Sequence, residues 1–250
     1  MNLGIIIQAR LGSTRLPKKI LKPFYEDKCI LDIILDKLHQ ASGGAKVIVA
    51  TTTDTSNDAL VEHLQKNREL VFRGSENDVL DRFICAAEQF EVDGIIRICS
   101  DNPFIDLNGI KVLIEKSQHS EADYIGFRIN DLPSIKTHFG FWGEFVTLDA
   151  LKKVAASTDD LPAHEHVTIH VYSHPEEYHC EWIDCPDFIQ GRNDIRLTVD
   201  TQEDFENAQQ VYTDLTKANH NFRLEEVVNY IDQHEEMKVS MKRIITQNTK

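Results

Sequence analysis

Between Gln8 and Leu21 the chain reads QARLGSTRLPKKIL, directly after the short apolar run LGIII. An expected buried strand empties into a turn holding Gly12, Ser13 and Thr14, with Arg10, Arg15, Lys18 and Lys19 around it. That is the layout of a phosphate loop. Gly12 lets the backbone turn tightly and present its N–H groups as an anion nest. Ser13 and Thr14 add hydroxyl donors. Arg15 can grip two phosphate oxygens with its planar fork, and Lys19 offers a mobile point charge to a polyphosphate. The spacing matches neither G-x-x-x-x-G-K-[ST] nor G-x-G-x-x-G, which removes support from kinase-type and dinucleotide-type chemistry. A solvated basic loop after an edge strand is the plainer account of the same composition.

Two carboxylates sit where they can oppose these cations. Asp101 in IIRICSDNPFID and Asp200 in IRLTVDTQED each follow an expected strand. In a parallel sheet both strand ends open onto the edge that carries the loop after the first strand. Mg²⁺ suits such a pair, since it takes one or two carboxylates and completes its octahedron with water and phosphate oxygens. There it offsets phosphate charge and stabilises a departing pyrophosphate. Taken singly, each aspartate also reads as a helix cap.

The scaffold these residues need is visible as alternating strands and helices. LGIIIQA, AKVIVATTT, ELVFRG and DGIIRICS read as strands. CILDIILDKLHQA, SNDALVEHLQKN with a Ser56 cap, SENDVLDRFICAAEQF and DLNGIKVLIEKSQ read as amphipathic helices. This alternation predicts an α/β fold of three layers, α/β/α, with a mainly parallel sheet and ligands beyond the carboxyl ends of its strands. After about residue 124 the rhythm changes. YIGFRI and THFGFWGEFV read as strands that pair antiparallel, LDALKKVAAS as a helix, and the His-rich stretch through His164 and His166 as extended chain. The pattern resumes with DIRLTVD as a strand, a helix after it, and FRLEEVVNYIDQH as a last long helix. The organisation expected is one domain over residues 1–250 with an inserted subdomain over about 126–190, an acceptor-side lid or a dimer contact.

Composition narrows the function classes. The 250 residues carry a net charge of -14, which argues against general affinity for nucleic-acid backbone while leaving room for a local cationic site. The longest apolar runs fall far short of the roughly 18 residues of a membrane span, and no export signal is read at the N-terminus. Five cysteines, an odd number, fit reduced thiols and a cytoplasmic location.

The segments QARLGSTRLPKKIL, VFRGSENDVLDRF, IRICSDNPFID, HEHVT and RLTVDTQEDF, in that order, resemble the cytidylyltransferases of the spore coat polysaccharide F type, relatives of the synthetases of CMP-Kdo and CMP-sialic acid. The resemblance runs from residue 3 to about residue 210. It implies a nucleotide-diphospho-sugar transferase fold, CTP and Mg²⁺ as partners, and transfer of CMP to an acidic sugar of the nonulosonic or Kdo-like type. Carried over by position, Arg10, Gly12, Ser13, Arg15 and Lys19 match the family's triphosphate loop, with Arg15 and Lys19 as its principal catalytic cations. Asp101 and Asp200 match its metal carboxylates. Arg73, Ser75, Asn77, Asp78 and Arg82 match the stretch that helps line the nucleotide pocket. Glu144, Glu165 and His166, with Thr168, fall on the acceptor side, and a homodimer is implied.

Two positions depart from that pattern. Lys18 stands where relatives commonly have glycine, and Trp142 stands where they tend to have aspartate. The histidines do not form a zinc-finger spacing, and His166 is instead a candidate base toward the acceptor hydroxyl. Two other readings remain open: a glycosyltransferase on the same fold, which lacks support in the absence of a D-x-D at a strand end, and a non-catalytic nucleotide-binding subunit.

Overall fold

Strand β1 (Leu3–Gln8) is central because three consecutive isoleucines satisfy both faces of a pleated strand at once. In the computed structural model, which describes residues 1–219 and 221–247, Ile5 and Ile7 enter one hydrophobic core and Ile6 the other. All three are fully buried, each stabilising the fold by about 2 kcal/mol. A strand apolar on both faces belongs inside a parallel sheet.

The hairpin β2 (Pro23–Tyr25) and β3 (Lys28–Cys29) follows, then α1 (Ile30–Ala41), β4 (Lys46–Thr52), α2 (Asp58–Lys66), β5 (Leu70–Gly74) and α3 (Val79–Gln89). Next come β6 (Gly94–Cys99), α4 (Leu107–His119), β7 (Tyr124–Ile129), the short β8 (Leu132–Pro133) and β9 (Glu144–Thr147). The chain continues through α5 (Leu148–Ser157), α6 (Leu161–Glu165), α7 (Ile169–Ser173), β10 (Cys180–Asp184), α8 (Gln202–Ala218), α9 (Leu224–Gln233) and α10 (Glu235–Gln247).

The main sheet runs β10-β7-β9-β6-β1-β4-β5, with β8 attached to β7. Strands β6, β1, β4 and β5 are mutually parallel. Strand β9 is antiparallel to both β6 and β7, and β10 is parallel to β7. One core joins the sheet to α1, α4, α8, α9 and α10; the other joins it to α3, α5 and α7. The result is the expected three-layer α/β/α arrangement with a mainly parallel sheet. The strands contributed by residues 126–190 extend this sheet rather than forming one of their own. No helix among the described residues is long and apolar enough to cross a membrane.

The structure corrects several local expectations. Residues 195–200 form no strand: Leu197 and Thr198 donate to the His138 carbonyl and Val199 donates to the Asp101 carbonyl, so this extended segment is fastened to loops instead of a ladder. Of THFGFWGEFV only the last three residues are strand, within β9 (Glu144–Thr147). Its aromatic start is consumed by packing: Trp142 stacks on Phe127 at 5.4 Å and meets Phe141 edge-on. Gly109 of α4 makes that possible, since a Cβ there would lie 2.7 Å from Trp142 Cδ1. The indole is thus mainly a core group, which accounts for an apolar residue at this place. The His-rich stretch is helical, in α6 and α7, rather than extended. Ser56 is not a cap; Asp54 accepts its N–H and starts a 3-10 turn before α2. Helix α3 is capped by Asp78, and α10 follows the helix expected to be last.

Candidate active site

At the carboxyl edge of the sheet, β1 is the strand where the winding reverses: the chain passes from β1 to β4 on one side, and β6 joins on the other. Ligand crevices form at such a point, between the loops after the two strands. Here those loops are Arg10–Lys19 and the one that begins at Asp101.

The first loop is pinned from within. Asn57, buried, accepts the Leu11 N–H at 2.8 Å and donates to Thr52 Oγ1 at 2.8 Å. Lys18 returns its N–H to the Leu11 carbonyl with φ of 56°, a left-handed backbone where glycine is ordinarily favoured. That conformation explains why the position suits glycine; the Lys18 side chain itself faces solvent. Arg10, Gly12 and Arg15 are exposed, while Ser13 accepts the Leu16 N–H.

The turn at Lys18 drives Lys19 inward. Its ammonium lies 2.9 Å from Asp101 Oδ2, 3.1 Å from Asp200 Oδ1 and 2.5 Å from the Val199 carbonyl. Burial works against this charge, but the two carboxylates outweigh it and raise the Lys19 pKa. Arg15 also reaches Asp200, at 3.2 Å. The second oxygen of Asp200 receives Arg196 at 2.9 Å, and Arg196 is clamped by Asp204 at 2.7 and 3.0 Å. Asp204 completes the brace by accepting the N–H groups of Asp200 and Thr201. Burial opposes ionisation of Asp200, yet Lys19, Arg15 and Arg196 hold it below the usual carboxylate range.

The residues expected at catalytic and metal positions, Arg15, Lys19, Asp101 and Asp200, are therefore one cluster. Asp200 arrives there through the Arg196–Asp204 brace rather than by ending a strand. Sequence reasoning passed over Arg196, although Arg196, Asp200 and Asp204 fall at i, i+4 and i+8. It also passed over Asn57, for which local sequence carries no distinguishing signal.

Fit to a divalent cation can be judged from the donors. One ammonium already touches an oxygen from each aspartate, so a single cation reaches both, and hard carboxylate oxygens are the donors Mg²⁺ takes.

The stretch after β5 is built around a buried cation. Arg82 has no exposed surface and donates through Nη1 to the Ser75 carbonyl at 2.6 Å, while Nε and Nη2 have no hydrogen-bond partner among the described residues. Burial and the charge of nearby Arg10 lower its pKa. Two guanidiniums held this close favour an anion beside them. Arg73 ties the loop after β4, donating to the Thr52, Thr53 and Asp54 carbonyls. Ser75 accepts the Asp78 N–H, Asp78 caps α3, and Asn77 is exposed.

Asp78 also accepts from His164 Nδ1 at 2.7 Å, and His164 Nε2 lies 2.9 Å from the Thr158 carbonyl. Both ring nitrogens face acceptors, so only the imidazolium satisfies both, and the Thr158 and Asp78 contacts raise its pKa. The stability this contributes is full below the ordinary histidine pKa of about 6.5 and is lost as pH rises through the raised folded value. We expect wild type to exceed His164→Gln by up to ~1 kcal/mol at pH 6, and the gap to close by about pH 9, in thermal melts of both proteins. A gap independent of pH would contradict the charged ring.

Beyond the carboxylates opens a cleft of about 650 Å³, with Arg15, Asp101 and Asp200 on one side and Trp142, His166 and Tyr172 among the opposing walls. Among the described residues, three buried polar atoms at this cleft lack partners: Asn102 Oδ1, Thr198 Oγ1 and Arg97 Nε. Glu144 lies beneath the wall rather than on it. Its carboxylate receives Arg97 at 2.7 Å, Tyr124 at 2.6 Å and Thr168 at 3.1 Å. Glu165 is exposed at the end of α6, outside the cleft lining.

A cationic loop faces paired carboxylates across a parallel-sheet crevice, and the architecture is the nucleotide-diphospho-sugar transferase fold. The sequence matches the cytidylyltransferase family profile over residues 4–243, and the chain belongs to that family. It is 34% identical over 214 residues to the spore coat polysaccharide biosynthesis protein SpsF of Bacillus subtilis, covering 83% of this chain and 85% of that protein. A cytidylyltransferase structure from Leptospira borgpetersenii superposes with a TM-score of 0.81 at 28% identity, covering 95% of this chain and 96% of that one. A CMP-2-keto-3-deoxy-manno-octonic acid synthetase complexed with CTP shares the fold, with a TM-score of 0.63 at 14% identity over 84% of this chain and 98% of that one.

Proposed function

We propose that the chain transfers CMP from CTP to an acidic sugar of the nonulosonic or Kdo-like type, with Mg²⁺ as cofactor and release of pyrophosphate. The observation that carries this reading is the single cluster of Lys19, Arg15, Asp101 and Asp200 at the mouth of a cleft large enough for a sugar. The CTP complex of a synthetase with the same fold supports the choice of nucleotide.

The acceptor hydroxyl oxygen attacks the α-phosphorus in line, its bond to phosphorus forms as the bond to the β-phosphate oxygen breaks, and pyrophosphate departs. Arg10, Arg15 and the N–H groups around Gly12 hold the β- and γ-phosphates and take up charge on the leaving group. Mg²⁺ held by Asp101 and Asp200 would supply charge neutralisation at the phosphates. Lys19, freed from the carboxylates, has the stem length to turn to the polyphosphate. His166 on the cleft wall is the base assigned to the hydroxyl proton. Asn102 and Thr198 offer the unpaired polar atoms that an acceptor's hydroxyl groups can satisfy.

The test is a pyrophosphate-release screen of CTP with Mg²⁺ against a panel of acidic sugars, alongside thermal shifts with each nucleoside triphosphate. Selective stabilisation by CTP and release with at least one acidic sugar are expected. Stabilisation only by a nucleoside diphosphate sugar would replace this reading with a glycosyltransferase.

A further inference from the structure

None of the residues lining the cleft belongs to a second cluster, in which sulfur, oxygen and nitrogen donors meet at one imidazole. His63 of α2 directs Nε2 to Asp32 Oδ1 at 2.6 Å and to Cys29 Sγ at 4.0 Å, and the donor atoms of all three lie within 4.8 Å of one another. Asn67, one turn further along, places its amide 3.3 Å from the same nitrogen.

With its proton the His63 Nε2 donates to Asp32; without it the Asp32 contact is repulsive unless a cation lies between the two. A cation at the meeting point uses the lone pair of Nε2, the charge of Asp32 and the sulfur of Cys29 together. With its amide turned over, Asn67 presents an oxygen as a fourth donor. Backbone contacts hold the set in place: Asp32 Oδ2 accepts the Cys29 N–H at the start of α1, which leaves Oδ1 aimed at His63. Tetrahedral zinc bond lengths imply sulfur–nitrogen and nitrogen–oxygen separations of roughly 3.6 and 3.3 Å, which modest side-chain rotations supply. Thiolate, imidazole and carboxylate form a donor set for zinc rather than magnesium.

We propose that Cys29, Asp32 and His63, with Asn67 as a replaceable fourth ligand, bind a zinc-type divalent cation that staples the start of α1 to α2. On binding, the Cys29 thiol gives its proton to solvent and its sulfur pair to the metal. Helix α1 packs against the turn that carries Lys19, so the staple braces the site from outside it.

Cobalt(II) titration of the metal-free full chain tests this, read by the near-ultraviolet sulfur-to-cobalt charge-transfer band. Only a thiolate ligand produces that band, so binding at Asp101 and Asp200 or at surface histidines stays silent. One equivalent with the band is expected, displaced by zinc, absent in Cys29→Ser, and weakened at least about tenfold in His63→Gln. His63 is partly exposed, so its variant carries the test should Cys29→Ser fold poorly. No band in wild type, or a band retained at full affinity in His63→Gln, would overturn the site and leave a hydrogen-bonded knot. Turnover is not the readout, so the outcome is independent of the nucleotide reading.

Discussion

Asp200→Asn and Asp101→Asn should each lower CTP-dependent pyrophosphate release by about 10³-fold or more. Each aspartate contributes an oxygen to the point where Lys19 meets both, and the adjacent Asp204 is committed to Arg196. The amide keeps size and shape but removes the charge that opposes the phosphate-loop cations and draws a metal. Folding survives, because Arg196 retains its two bonds to Asp204 when Asp200 is neutralised. A folded protein that melts somewhat lower and has lost turnover is therefore the expected pair of results. Turnover within tenfold of wild type in both variants would sink the metal assignment, whatever the acceptor.

Glu144→Ala should cost about 3–5 kcal/mol of stability. Glu144 and Arg97 are almost wholly buried, at 2% and 6% side-chain exposure. Burial works against the Arg97 charge, and Cys99 and Glu144 outweigh it and raise its pKa. Without Glu144, Arg97 retains, among the described residues, the 3.3 Å bond to Gln8 and a long contact to Thr168, and the Tyr124 hydroxyl loses its acceptor. For a chain of this size the melting temperature falls by roughly 6–20 °C. The double variant Arg97→Met with Glu144→Leu should recover most of that loss, since it removes both charges and keeps apolar volume. A fall under about 2 °C in the single variant would show that water reaches Arg97 and that the pair is not desolvated.

Glu144 meets the cleft only through its neighbours. Its position in the chain assigns it to the acceptor side, but the side chain sits under the wall and holds Arg97 and Thr168, which do reach the cleft. Asp78 is similar: placed among nucleotide-binding positions, it is committed to capping α3 and to His164.

The basic loop, the aspartate after β6 and the parallel half of the sheet were legible because they depend on short-range patterns. Isoleucines with no polar interruption mark a strand buried on both faces, and a glycine among cations marks an anion nest. Such signals are complete within about ten residues. The stretches misread as strands, 137–143 and 195–200, have β-like composition, yet their N–H groups and rings find partners contributed by distant loops and helices. Composition cannot tell a ladder partner from a loop carbonyl.

By itself, then, the sequence determined the α/β layering, the cationic loop and the identity of two carboxylates able to face it. Only the tertiary structure decided that Lys19 lies between those carboxylates, that Arg196 and Asp204 hold Asp200 without a strand, and that Glu144 supports the wall. The physical reason is range. Strand and turn signals are local, whereas a buried charge is placed by whichever opposite charge folding brings to it, here from up to 181 residues away.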